Sequence, residues 1–287
     1  MKEAKLTIRD SVFSDLFRDK RYLLKLYQTL HPEDTETTED DLVDVTIQNV
    51  LTNDLYNDLG FRNKDRIVIL TEAQSSWSVN IVVRAFLYLA QTWNDYSEAT
   101  NQNRYGSRKL SLPKPEVYVI FSGNRQERPE YLSLTDEFFG GEEGFLDIRV
   151  KMLYGDGEDD IISQYVNFTK IYQEQSGLHG RTKEAVRETI RICKDKNVLR
   201  EYLSSREKEV VSIMMALFDQ ERAVEQFGYE KRQEGREEGR KEGREEGRIR
   251  QAKKTAVNML KEGESMDKIA KFLEIPIHLI QSWAKEE

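Results

Sequence analysis

The stretch from Asp58 to Tyr88, DLGFRNKDRIVILTEAQSSWSVNIVVRAFLY, decides the fold. Arg66 to Leu70 reads Arg-Ile-Val-Ile-Leu, a β-branched run with strand preference and little helical character. Asn63-Lys64-Asp65 is a polar turn before it, so Asp58 to Arg62, with Leu59 and Phe61, reads as the partner strand. Side chains alternate along a strand. Val68, Leu70, Glu72 and Gln74 therefore share one face, and Ile67, Ile69, Thr71 and Ala73 the other. Both faces are apolar as far as Leu70, which predicts a central strand covered on both sides. Glu72 and Gln74 emerge together at its far end. If Asp58 pairs near them, two carboxylates and an amide converge on one spot. Hard oxygen donors of this kind suit Mg²⁺ or Mn²⁺, which bind through one or two carboxylates and keep several waters.

Outward from this stretch the chain alternates helices and strands. Ile8 to Leu30 carries Phe13, Leu16, Phe17, Leu23, Leu24, Tyr27 and Leu30 near helical spacing and predicts one or two helices. His31 to Asp41 is an acidic, Thr-rich loop. Trp77 to Trp93 predicts an amphipathic helix, with Val79, Val82, Val83, Phe86, Ala90 and Trp93 at three- and four-residue steps. Asn101 to Lys114 is a polar loop, and Glu116 to Gly123 a further strand. Leu146 to Met152 alternates strictly and predicts an edge or half-exposed strand. Gly140-Gly-Glu-Glu-Gly144 is no phosphate loop, because it lacks the Lys-Ser/Thr ending and its acids repel phosphate. From Asp159 to Phe227 the pattern is mainly helical.

The residues Asp10-Ser-Val-Phe13, Asp15-Leu-Phe17, Tyr56-Asn-Asp-Leu-Gly-Phe61, Glu72-Ala-Gln-Ser75, Asn80, Arg84 and Tyr88 carry a family resemblance. Together they resemble the PD-(D/E)XK nuclease superfamily, in its branch of Rpn-type recombination-promoting nucleases and transposases. The resemblance spans roughly residues 8 to 125. It implies an α/β, restriction-endonuclease-like core, a mixed sheet flanked by helices in the order helix, three strands, helix, strand. It implies a Mg²⁺-dependent (or Mn²⁺-dependent) endonuclease that hydrolyses DNA phosphodiester bonds, linked to recombination or transposition of mobile elements. By the motif, Asp58 and Glu72 are metal ligands, joined by the backbone carbonyl of Ala73. An additional acid from the first helix is Asp10 or Asp15.

Gln74 stands where most of the superfamily has Lys. A Lys stabilises transition-state charge as a cation, whereas a neutral amide orients a water and offsets no charge. Arg84 interrupts Ile81-Val82-Val83 and Ala85-Phe86-Leu87. It either supplies the missing positive charge or serves as a structural partner of a carboxylate such as Glu72. The alternative to an enzyme is a catalytically weak or inactive relative that works as a nucleic-acid or protein binding module.

Whole-chain properties bound these readings. A chain of 287 residues accommodates one sizeable α/β domain and an accessory region. The expected division is a nuclease-like core over 1–155, a helical extension over 156–230, a charged repeat over 231–250 and a small helical module over 251–287. Cys193 is the single cysteine, so no intramolecular disulfide forms, and His31, His179 and His278 have no zinc spacing. No apolar run approaches a membrane span, and Met1-Lys-Glu-Ala-Lys lacks the core of a signal peptide, so a cytoplasmic protein is expected. The formal net charge is -8; residues 229–287 hold 14 basic against 13 acidic side chains, and residues 1–228 hold 30 against 39. The catalytic region is thus the acidic part, and DNA contact must rest on local patches. Arg104, Arg108, Lys109 and Lys114 form one basic stretch. Arg181, Lys183, Arg187, Arg191, Lys194 and Lys196 form another.

Residues 232–248 repeat a tetrapeptide, RQEG-REEG-RKEG-REEG-R. Each Gly costs about 1 kcal/mol in a helix relative to Ala, and pairs such as Glu237–Arg240 or Glu245–Arg248 return only a few tenths each. Propensity therefore argues against an independent helix here. The segment reads as a semi-rigid, solvated helical spacer or, by its Gly positions four apart, as a close-packing stripe for a partner helix. Beyond it, Ala256, Met259 and Leu260 end a helix near Gly263, Ser265 caps a second, and Pro276 opens a third bearing Ile277, Ile280 and Trp283. This arrangement resembles a helix-turn-helix. A dimerisation role, giving a homo-oligomer through the C-terminal helices, is the alternative to DNA recognition.

Overall fold

The strand predicted at Arg66 is the centre of the structure. In the computed structural model, which describes residues 11–45, 58–73, 77–157 and 159–285, Ile67, Val68, Ile69 and Leu70 are all buried. In chain order the described residues form α1 (Val12–Arg18), α2 (Lys20–Leu30), β1 (Leu42–Val45), β2 (Asp58–Asn63), β3 (Arg66–Ala73), α3 (Ile81–Ala99), β4 (Lys114–Phe121), β5 (Tyr131–Ser133), α4 (Leu134–Phe139), β6 (Arg149–Leu153), α5 (Ile161–His179), α6 (Lys183–Asp195), α7 (Arg200–Ser205), α8 (Glu207–Lys261), α9 (Met266–Leu273) and α10 (Ile277–Lys285). The protein is α/β, with one six-stranded mixed sheet in the order β1-β2-β3-β4-β6-β5. β3, β4 and β6 run parallel; β1 and β2 form an antiparallel meander into β3, and β5 pairs antiparallel with β6.

A strand that is apolar on both faces needs cover on both. Ile69, Val117, Val119, Phe121, Val150 and Met152 pack with Ile81, Val82, Ala85 and Leu89 of α3. Phe61, Val68, Leu70, Tyr118 and Ile120 pack on the other side with residues of α1, α2, α5, α6, α7 and the start of α8. The segment expected as a helical extension is helical, and Val166, Ile190, Tyr202, Val210 and Phe218 belong to the same core as the sheet. Compact units divide instead into Met1–Asp219 and Gln220–Glu287.

Short polar signals set the element ends. Ser11 Oγ accepts from Ser14 N at 3.1 Å to open α1, and Asp160 Oδ1 accepts from Ile162 N and Ser163 N at 2.8 and 3.0 Å to open α5. The β2–β3 hairpin turns on Lys64 and Asp65, with Lys64 at φ 51°. Gly155, between β6 and α5, has φ 67°, and an added Cβ there would lie 2.7 Å from Val166 Cβ, so only glycine fits.

Two expectations are corrected. The strand within Leu146 to Met152 is half-exposed but not an edge: it begins at Arg149, and the short β5 lies outside it. The helix expected from Trp77 begins at Ile81, after a turn over Val79 and Asn80, and extends to Ala99. The tetrapeptide repeat, read as a helical spacer, is continuous helix within α8 despite its glycine content. Pairs such as Lys231–Glu234 at 2.7 Å and Glu245–Arg248 at 2.9 Å line it, and it extends a helix whose nucleation is already achieved by its anchored first turns. In the C-terminal unit, Ala256, Ile269, Ile280 and Trp283 form a small core, and Ser265 Oγ accepts from Lys268 N at 3.4 Å as the expected cap.

Candidate active site at the carboxyl ends of the central strands

Register decides what the motif residues have in common. In the antiparallel pair Asp58 lies opposite Thr71, and Leu59 opposite Leu70. In the parallel pair Glu72 lies opposite Ile120, and Ala73 opposite Phe121. Positions 58, 72 and 73 therefore sit on neighbouring rungs at the end of the sheet where β3 and β4 finish. Strand spacing and rise put the backbones of 58 and 72 about 6 Å apart.

Alternation adds a constraint. Leu59 and Phe61 pack with Val68 and Leu70 on the α1/α2/α5 side, whereas Arg62 lies over Tyr96 of α3, 6.0 Å from its ring centroid. In a regular pleat position 58 then belongs to the α3 face and position 72 to the opposite one. The side chains of Asp58 and Glu72, and all of Gln74 and Asp10, lie outside the described residues. Among the described residues no group of three His, Cys, Asp or Glu side chains is arranged to hold a metal ion.

The other sequence candidates have defined surroundings. Trp93 Nε1 donates to Pro113 O at 3.1 Å, which ties the second half of α3 to the amino end of β4. The helix therefore starts at the carboxyl end of β3, and Arg84 lies in its first turn. Arg84 is half-buried, with its guanidinium carbon 5.9 Å from the Tyr88 ring centroid. The α3 amino terminus adds its partial positive charge to the same end.

Asp15 is buried beneath α7 and α8. It accepts from Tyr202 Oη at 2.8 Å and from Arg206 Nε and a terminal nitrogen at 3.0 and 2.7 Å. Both oxygens are taken up by this fork, the geometry in which a guanidinium best offsets a buried carboxylate. Burial, and then the hydrogen bond to Asp15, push the Tyr202 phenol far above its usual range.

The first basic stretch lies away from the carboxyl ends of β3 and β4. Lys114 is the register partner of Arg66, at the opposite end of the sheet from Ala73, and Arg104 pairs with Glu98 at 2.9 Å. At that far end His31 and Arg66 both contact Glu116, at 2.8 and 3.2 Å. On α6, Arg191 pairs with Glu188 and Asp195, and Lys194 with Glu207.

Two arginines that the sequence reading missed lie at the carboxyl ends, each ion-paired, Arg125 with Glu127 at 2.7 Å and Arg128 with Asp156 at 2.6 Å. The Arg125 guanidinium sits over the Trp77 ring, 4.1 Å from its centroid, and that of Arg128 over Tyr154 at 5.4 Å. Both rings meet Phe121 edge-on, at 5.2 and 6.2 Å. Phe121 is opposite Ala73 and ends β4, while Tyr154 follows β6 directly. Burial raises the Tyr154 phenol pKa, against the opposing pull of Arg125 and Arg128. The available signal was positional: cations and aromatics just after parallel strands fall where ligands bind in open α/β sheets.

No protein-family model, curated protein or solved structure matches this chain.

Proposed function

We propose that the protein is a divalent-metal-dependent DNA endonuclease, with its site at the carboxyl ends of β3 and β4. The observation that carries this reading is the juxtaposition of positions 58, 72 and 73 on neighbouring rungs at that one end. The order helix, β-meander, helix, parallel strand supports it as a restriction-endonuclease-like arrangement.

The donor set fits a hard cation. Asp58 and Glu72 bring carboxylates, and Ala73 a backbone carbonyl, which suit Mg²⁺ or Mn²⁺. Asp58 is the first residue of β2 and the register partner of Thr71, one rung from position 72. When bound, the ion acidifies a coordinated water and offsets charge on phosphate. Gln74 orients that water. Arg84 and the α3 amino terminus contribute positive potential where a neutral amide replaces the usual Lys. Asp15 stays with Arg206 as a structural carboxylate and takes no part in ligation.

Calorimetric titration with Mn²⁺ tests the donor set. The parent chain is expected to bind, and Asp58→Ala and Glu72→Ala each to weaken binding at least tenfold without lowering the melting temperature. Equal affinity in all three chains contradicts the site. A second reading, a nucleic-acid binding module with little or no catalysis, is favoured by one observation: regular alternation sets positions 58 and 72 on opposite faces. Nucleic-acid binding that is indifferent to metal and to Glu72→Ala supports that reading instead.

A further inference from the structure

We propose that Arg125 and Arg128, each set over an aromatic ring, form a platform that holds an unpaired segment of the DNA substrate beside the cleavage site. The inference rests on the nuclease reading for its substrate and on separate geometry for its location. Trp77, Phe121 and Tyr154 make a row of rings at the carboxyl ends of β4 and β6, with Phe121 edge-on to both neighbours at 5.2 and 6.2 Å. The two guanidiniums cap the ends of that row at 4.1 and 5.4 Å.

A guanidinium held over a ring is restrained by that contact, and its planar group offers a second face for stacking and an edge for hydrogen bonds. Its present ion partners are weak competitors: Glu127, beside Arg125, is 80% exposed, and Asp156, beside Arg128, is 63% exposed. The chemistry that uses both the face and the edge is a nucleotide whose base is out of its stack. The base covers the guanidinium face, and the adjoining phosphate takes N–H donors from its edge. A duplex offers the phosphates alone. An acidic peptide offers carboxylates without the flat base. In a chain of net charge -8, two cations at one strand end form a local site and not a broad basic surface.

The test is fluorescence anisotropy of a labelled thymidine oligonucleotide, single-stranded or annealed, with metal chelated so that no cleavage occurs. The parent is expected to prefer the single strand. Arg125→Ala should weaken that binding about tenfold, as expected for one stacked base, and weaken duplex binding less, through the phosphate contact alone. Arg125→Lys should recover less than half of the loss, because an ammonium has no flat face. The salt slope for the single strand should be about -1.4 for two phosphates and about -0.7 in Arg125→Ala. Unchanged melting temperatures exclude a folding effect.

Parental affinity in the Arg125→Ala/Arg128→Ala double variant would overturn the inference, as would equal losses for single strand and duplex. Tighter binding of the matching RNA, or of a poly-glutamate peptide, through the same residues overturns it too. The nuclease reading stands or falls separately. A chain that never cleaves, yet loses single-strand binding in Arg125→Ala, keeps the platform and loses the enzyme. A chain that cleaves and binds normally in the double variant does the reverse.

Discussion

Asp58 lies opposite Thr71, so Glu72 falls one rung further toward the end of the sheet. This offset brings two acidic positions to one sheet end while assigning them to opposite faces of a regular pleat. Metal binding by both then depends on how β2 begins. A strand's first residue is the one least held by the ladder, and a departure there costs the fewest hydrogen bonds. Bulges and irregular first residues commonly re-aim side chains beside active sites.

Asp15 and Arg206 are joined by two hydrogen bonds of 3.0 and 2.7 Å across 191 residues of sequence, with Tyr202 as a third partner. Asp15→Ala leaves Tyr202 Oη unsatisfied in the core and should cost about 2–3 kcal/mol of stability, read by urea unfolding. Mn²⁺ affinity in Asp15→Asn should equal that of the parent. A loss of metal affinity with unchanged stability would make Asp15 a ligand.

Asp34 gives a pH dependence with a definite sign. Its carboxylate accepts from Tyr27 Oη at 2.8 Å and Thr37 Oγ1 at 2.9 Å, and these bonds hold its pKa down to about 2 from 3.8. A depressed folded-state pKa means that the unfolded chain takes up the proton first. The stabilisation is therefore full above about pH 4 and is lost as pH falls toward 2. Asp34→Asn should unfold more easily than the parent at pH 5, and the gap should close by pH 2. A gap that persists unchanged to pH 2 contradicts this.

Gly235, Gly239, Gly243 and Gly247 are exposed, and a Cβ added at any of them meets nothing within 4 Å. Replacing each by Ala should raise helix stability by about 1 kcal/mol per site, visible as greater helicity on heating. If the four-Ala chain instead changes oligomeric state in sedimentation, the stripe serves helix pairing.

The sheet's central hairpin was legible because its signals are local: a β-branched run, a polar turn, and apolar residues on both faces. Sequence reading placed β2, β3 and β4 to within two or three residues at their ends. β1, only Leu42 to Val45, is too short to show a period, and β5 is shorter still. β6 could be read as an edge or as half-exposed, because its own alternation cannot reveal a three-residue neighbour; it is the half-exposed one. The glycine repeat is helical despite its propensity, since host-peptide penalties apply in full to helices that must nucleate alone. Among the candidate site residues, the strand positions were readable, but the register between them was not. A one-residue offset changes the face and leaves the pattern intact. Arg125 and Arg128 escaped notice because their rings, Trp77 and Tyr154, are distant in sequence and meet only through the strand order.

The most direct measurement is nicking of supercoiled plasmid in Mg²⁺ or Mn²⁺ by the parent chain and by Glu72→Ala, with both shown to be folded. Metal-dependent nicking by the parent, absent from Glu72→Ala and abolished by chelator, is the result the account predicts. Equal nicking by both chains, or none by either across both metals and with single-stranded as well as duplex DNA, would contradict it.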